Sequence, residues 1–323
     1  MGNPTRPTPF RRRARLVAGS CLLAPALVAL AGRWWPGDGW RVLLPFVYLP
    51  AAAAVLPALL GALVLPGRRS ARAGLAGAAM LLGALGVLRE QPALLPPGGP
   101  DEAGEGEVRA VVFNVQTYNS ASPKRIGELL RAERPDVVGL LEATVNGRVP
   151  EELKRSLGPE YRWVVARRLA VAARAPLGAT RRIESGAGAY IFRSEAQLGG
   201  GPAAFYLVDF PWPLERDAPA LFAELEGVLA AERLPSVVVG DFNTPRQSRL
   251  LRRAFAGWTD LSVAPDGPRH LATWPAEAPI WQIDHAFASE HFVARSARFF
   301  GAGASDHLGL SVGFARSDPP GAD

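Results

Sequence analysis

Residues 108–143 read "VRAVVFNVQTYNSASPKRIGELLRAERPDVVGLLEA", and this stretch decides the fold class. Val108–Val115 is an apolar run rich in β-branched residues, as in a buried strand, and it ends on a polar group at Asn114. Ser122-Pro123 supplies an N-cap followed by Pro at the first helical position, opening a helix to about Ala132 with Ile126, Leu129 and Leu130 on one face. "PDVVGLLEA" (135–143) is a second strand that ends at Glu142. Strand, helix and strand in such close succession predict a layered α/β domain with parallel pairing at its start.

The same form recurs downstream. "SVVVGDFNTP" (236–245) is an apolar strand running into Asp241 and Asn243, "IWQIDHAFAS" (280–289) is a short strand carrying Asp284 and His285, and "SDHLGLSV" (305–312) places Asp306 and His307 ahead of another. Taken singly, each is an ordinary turn or a solvated strand end. Taken together they are an oxygen-rich set with His307 among it, delivered at strand ends, where α/β folds build their sites. Hard divalent cations such as Mg²⁺ prefer such oxygen ligands.

In this order "FNVQTYN", "PDVVGLLE", "GDFNTP", "IDHAFAS" and "SDHLGLS" resemble the endonuclease/exonuclease/phosphatase superfamily, the deoxyribonuclease-like phosphoesterases, over about residues 108–315. The likeness is greatest to bacterial members with a hydrophobic N-terminal anchor. The resemblance implies a four-layer α/β sandwich, two mixed β-sheets face to face with helices outside. It also implies roles: Glu142 as principal metal ligand with Asp306 and Asn114, Asp241 orienting or deprotonating the attacking water, Asn243 holding the scissile phosphate, and Asp284 fixing a cationic His307 beside it. The implied cofactor is Mg²⁺, with Mn²⁺ as its substitute. In-line attack on a phosphate anion calls for the same parts: cationic neutralisation and a positioned base.

One departure stands out. The superfamily usually carries a mid-chain His at a strand end, but the histidines here are His270, His285, His291 and His307. In "AFYLVDFPWP" (204–213) the proline spacing puts the expected position on Phe210, with Asp209 just before it. Either Tyr206, Arg174 or Arg193 takes over the phosphate contact, with Asn119 as a further substrate contact, or the domain is a catalytically weakened metal- or ligand-binding module.

The first hundred residues differ in kind. They hold 11 of the 36 Lys+Arg and two of the 30 Asp+Glu, a net +9; the remainder, 25 basic against 28 acidic residues, carries −3. The basic balance therefore does not describe a nucleic-acid-binding surface on the α/β domain. Leu16–Gly32, Val42–Leu65 and Ala73–Leu88 are uncharged apolar stretches, which predicts an anchor of about three transmembrane helices within residues 1–89, meeting the bilayer through residues 16–88. Arginines cluster before the first stretch and between the second and third, so the positive-inside rule puts those segments in the cytoplasm and the domain on the outer, periplasmic face of the cell membrane. Residues 90–107 read as a Pro/Gly-rich acidic linker and 316–323 as a disordered tail. Cys21 is the only cysteine, so the fold rests on no intrachain disulfide. The expected function is a membrane-anchored, Mg²⁺-dependent phosphodiesterase, nuclease or phosphatase. The charge of the domain and the anchor together favour a small or membrane-derived phosphoester over nucleic acid, and nothing in the sequence indicates a protein partner.

Overall fold

The computed structural model describes residues 9–31, 50–66, 68–90, 106–212, 214–265, 267–268 and 270–317. The chain forms two compact units, an N-terminal helical one and the α/β domain. The helical unit holds α1 (Pro9–Ala31), α2 (Ala51–Val64) and α3 (Arg69–Glu90), packed on small residues: Ala26, Ala58 and Ala79 are buried together with Leu23. Among the described residues, the segment Arg69–Leu88 is long and apolar enough to cross a bilayer, and Ala53–Val64 is a shorter apolar helix. The loop 33–41, the start of the second expected span and linker residues 91–105 lie outside the described residues.

The α/β domain begins as the opening stretch predicts. Strand β1 (Val108–Asn114) leads through α4 (Pro123–Glu133) to β2 (Val137–Leu141), and the two strands pair in parallel with Asn114 level with Leu141. Ser122 caps α4, its hydroxyl accepting from Arg125 N at 3.3 Å. After α5 (Glu151–Leu157) come the hairpins β3 (Arg162–Ala166) with β4 (Leu169–Ala173) and, beyond β5 (Thr180–Ile183), β6 (Tyr190–Leu198) with β7 (Gly201–Asp209). The remaining elements are α6 (Ala218–Ala230), β8 (Ser236–Asp241), α7 (Arg249–Ala254), β9 (Thr259–Asp260), β10 (Asp284–Ala288), β11 (Phe292–Phe300) and β12 (Gly309–Arg316).

Two mixed six-stranded sheets result, ordered β11-β12-β1-β2-β4-β3 and β5-β6-β7-β8-β10-β9. Val112, Leu141, Leu207 and Val239 meet in the core between them. The outer face of the first sheet is covered by α4 and α5 through Ile126, Leu130 and Leu153, and that of the second by α6 and α7 through Phe222, Leu225 and Leu251. The fold is therefore the four-layer sandwich expected. Strands buried on both faces explain the near-continuous apolar runs in the sequence. Strand β12 extends through Arg316, whose guanidinium donates to the carbonyls of Leu198 (3.2 Å) and Pro202 (2.7 Å), so the domain holds the first residue assigned above to the tail; residues 318–323 lie outside the described residues.

Pairing direction gathers the polar ends. Asn114 ends β1, Asp209 ends β7, which runs parallel to β8 with Asp209 level with Asp241, and β10 runs antiparallel to β8, so that its first residue, Asp284, also lies level with Asp241. Gly240 makes the β7–β8 approach possible: a Cβ there would stand 1.9 Å from the Val208 carbonyl oxygen, a backbone atom that cannot step aside. Gly240→Ala is expected to cost on the order of 3 kcal/mol. At about 2–4 °C per kcal/mol for a domain of this size, thermal unfolding should show a Tm lower by roughly 10 °C, with the loss of activity tracking the loss of fold.

Candidate active site

Asn114 is the hub of the polar cluster at this edge. Its amide nitrogen donates to Glu142 Oε1 (3.4 Å) and Asp241 Oδ2 (3.2 Å), and its amide oxygen accepts from Gln116 N at 3.0 Å. Its backbone carbonyl accepts from the Ser305 hydroxyl at 2.7 Å, which ties the Asp306-His307 turn to the end of β1. Glu142 follows β2 with a left-handed φ of 52°, a backbone state that turns the chain sharply out of the sheet. Asp241 Oδ1 accepts from Asn243 N at 2.8 Å, and Asn243, at φ 47°, donates its amide to the Phe210 carbonyl at 2.7 Å. Asp306 accepts from the Ser305 hydroxyl and from the Trp274 indole, each at 3.3 Å.

His307 closes the network. Its Nδ1 lies 2.9 Å from Asp284 Oδ2 and its Nε2 3.7 Å from Asp241 Oδ2, with all three residues buried. Burial alone would lower the imidazole pKa, but the charge and hydrogen bond of Asp284, with the charges of Asp241 and Asp306, prevail and raise it to about 10. His307 is thus held as a cation. Burial, then repulsion from Asp284, pushes the Asp241 carboxyl well above its usual range. His285, next to Asp284, points the other way: it is buried against Phe242 and Phe287, with its Nε2 at 2.9 Å from the Thr244 carbonyl, and burial lowers its pKa to about 4.

A histidine whose pKa rises from 6.5 to about 10 on folding binds its proton more tightly in the folded state. The stability this supplies is complete below the unfolded pKa and is lost as pH rises through the folded one. The Tm difference between wild type and His307→Gln is therefore expected to be largest below pH 6.5 and to shrink toward pH 10; a difference that grows with pH would contradict a cationic His307.

The donor chemistry fits a hard cation. Glu142 Oε1 accepts from the Asn114 amide and Asp306 Oδ1 from the Ser305 hydroxyl, which also meets the Asn114 carbonyl; Asp284 Oδ1 is buried without a hydrogen-bond partner, and the carboxylates of the cluster outnumber the cations paired with them. Asp241, Asp284 and His307 bring ligand atoms within 4.8 Å of one another. Within that trio the His307 Nδ1 already faces Asp284 Oδ2 at 2.9 Å. As placed, the Asn114 amide nitrogen bridges the Glu142 and Asp241 carboxylates.

Residues 111–307 match the Endonuclease/Exonuclease/phosphatase family. The chain belongs to this family. No curated protein matches it, but solved structures share the family fold. An endonuclease/exonuclease/phosphatase from Beutenbergia cavernae DSM 12333 aligns at 19% identity and TM-score 0.51, over 68% of this chain and 74% of that one. A humanized D. rerio TDP2 aligns at 16% and 0.54, over 65% and 99%, and a family protein from Leptotrichia buccalis C-1013-b at 16% and 0.52, over 64% and 98%.

Against this family frame several expected substrate contacts fall elsewhere. Tyr206 and Arg193 form a cluster with Glu232: the Tyr206 hydroxyl donates to Glu232 Oε2 at 2.6 Å and Arg193 Nε to the same oxygen at 2.6 Å. Side chains alternate along a strand, so Tyr206 sits in the core on the helix side of the sheet, three residues back from Asp209. Arg174 follows β4, which is antiparallel to β2, and so lies at the far end of the first sheet; it pairs with Asp136 at 3.6 Å and donates to the Tyr161 hydroxyl at 3.2 Å. Asn119 stands exposed in the loop beyond β1, at the site's end of that strand, its backbone N–H donating to Gln116 O at 3.1 Å.

Phe210 is likewise outside the site. Its ring packs edge-on against Phe222 and Phe242 in the helix-side core, and the residue that faces the cluster from this strand is Asp209. Asp209 Oδ2 lies 2.9 Å from Arg168 Nε, close enough for an ion pair though not aligned as a hydrogen bond. A further guanidinium nitrogen of Arg168 pairs with Glu142. Burial pushes Asp209 up to about 7 against the pull of Arg168. Neither residue stands out in the sequence: an Arg-Arg pair in a turn is ordinarily solvated, and Asp209 enters as the neighbour of Phe210. The available signals were the two-residue turn in "VVARRLAV" (164–171) and the alternation Phe205, Leu207, Asp209 along one face of β7.

Proposed function

We propose that the chain is a membrane-anchored, divalent-metal-dependent phosphoester hydrolase that directs water at phosphorus. The observation that carries this reading is the buried Asp284–His307–Asp241 network linked through Asn114 to Glu142, inside a fold whose family is named for nucleases and phosphatases. Glu142 and Asp306 would hold the metal, Mg²⁺ or Mn²⁺. When bound, the metal neutralises charge on the phosphate and polarises its oxygens.

The remaining parts belong to the chain itself. Asp241, with an elevated proton affinity and fixed by Asn114 and Asn243, orients the water and takes its proton. His307, kept cationic by Asp284, balances charge that develops on the phosphoryl oxygens. Asn243 keeps one amide hydrogen for the substrate after the other goes to Phe210. Water oxygen bonds to phosphorus, the ester P–O bond breaks, and the leaving oxygen takes up a proton from solvent or from His307. The second reading, a weakened metal- or ligand-binding module, rests on the absence of a His at the end of β7, where Asp209 faces the cluster and Phe210 the core.

The apolar helix Arg69–Leu88 and the net −3 of the remainder support a small or membrane-derived phosphoester as substrate, on the outer face of the membrane. The test is a substrate panel of phosphodiesters, phosphomonoesters, lipid headgroup esters and oligonucleotides, run on the full-length protein in detergent. Hydrolysis is expected with Mg²⁺ or Mn²⁺, to fall to background in EDTA and to return on re-addition of metal. No turnover of any class at any metal concentration would overturn the reading.

A further inference from the structure

The site contains a second acid–cation pair built like Asp284–His307. Arg168 lies in the two-residue turn between β3 and β4, and that turn is pinned to the site: its carbonyl accepts from Ala143 N at 2.9 Å, the residue after Glu142. The guanidinium reaches Glu142 on one side and Asp209, at 2.9 Å, on the other. It also stands 5.7 Å over the ring of Tyr190, the residue paired with Asp209 across β6 and β7. The Asp209 side chain is 6% exposed and that of Arg168 is 40% exposed. The acid is thus inside and the cation at the rim, where an incoming anion meets it. A buried carboxylate at a strand end is costly unless it is paired, and a guanidinium held at Nε and one terminal nitrogen keeps further N–H donors of its five.

We propose that Arg168 is a second phosphate-contacting cation of this site and that Asp209 is its positioning residue. This deepens the hydrolase reading and rests on it for the catalytic part. A guanidinium is matched to two phosphate oxygens at once and does not give up its proton. Arg168 therefore steadies charge on the phosphate, while proton transfer stays with Asp241, His307 and solvent. The competing role is a clasp between the two sheets, since Glu142 follows a strand of one and Asp209 ends a strand of the other.

Two measurements on the full-length protein separate these roles. The first is kcat/KM on bis(p-nitrophenyl) phosphate with Mn²⁺. Arg168→Ala is expected to lose about 10²-fold or more, Arg168→Lys to recover about tenfold of that by restoring charge, and added guanidinium chloride, against equal NaCl, to rescue Arg168→Ala but not Asp241→Asn. Asp209→Asn should lose less than Arg168→Ala, and the double variant should be no worse than Arg168→Ala alone. The second is calorimetric binding of inorganic phosphate with Mn²⁺, which needs no turnover; Arg168→Ala is expected to weaken it at least about tenfold. Phosphate binding by Arg168→Ala equal to wild type, absence of phosphate binding by the wild type, or a loss of activity that guanidinium does not rescue would each overturn the assignment. A wild type that binds phosphate through Arg168 yet turns over no substrate would overturn the hydrolase reading and leave Arg168 as the phosphate contact.

Discussion

Asp241→Asn is expected to lower kcat/KM about 10³-fold or more while leaving the protein folded. The side chain is buried, with Oδ1 on Asn243 N, Oδ2 on the Asn114 amide and the His307 imidazole 3.7 Å away. An asparagine fills the same space but cannot accept a proton from water. The stability side runs opposite to the activity side. Burial disfavours the Asp241 charge in the folded state, so removing that charge relieves a cost and the Tm is expected to hold or rise, as at sites that trade stability for chemistry. Loss of activity together with a large fall in Tm would point to a structural role. Retention of more than about a tenth of the wild-type rate would remove Asp241 from the proposed base position.

His307→Ala is the second large effect, again expected at about 10³-fold, with Asp284→Asn at about 10² and the double variant no worse than His307→Ala alone. The non-additivity follows from the geometry: Asp284 acts on His307 through the 2.9 Å contact with Nδ1. Asp284 is also the leading group that raises the His307 pKa. In Asp284→Asn the alkaline limb of the pH–rate profile should therefore move to lower pH, because the imidazole gives up its proton more readily. A profile with an unmoved alkaline limb would show that the charge of His307 is not what the rate depends on.

Much of this was legible in the sequence because strands buried on both faces announce themselves as apolar runs, and the polar groups that end those runs stand out. Asn114, Glu142, Asp241, Asp284 and His307 are each the first polar interruption of such a run or its immediate neighbour, and the structure brings them to one edge. What was not legible depends on side-chain parity and strand direction. Asp209 and Phe210 are adjacent in sequence, and proline spacing favoured Phe210; the pairing of β7 with β8 shows that Asp209 faces in and Phe210 faces the helices. Arg168 escaped because a double arginine in a turn is usually solvated, and what distinguishes this one is that Glu142 and Asp209, from different sheets, converge on it. Tyr206 and Arg193 lie on the neighbouring strands β7 and β6, each three residues from the end that meets the site, on the outer face, where both reach Glu232.

The central claim, water attack at phosphorus by this network, is tested most directly by isotope transfer. Full-length protein with Mg²⁺ is incubated in H₂¹⁸O with a substrate it hydrolyses, or with the whole substrate panel, and both products are weighed by mass spectrometry beside an Asp241→Asn control. One ¹⁸O in the phosphoryl product per turnover, none in the alcohol, and no labelled product from Asp241→Asn is the predicted result. Label in the alcohol, equal labelling by Asp241→Asn, or no product from the folded wild-type protein would contradict it.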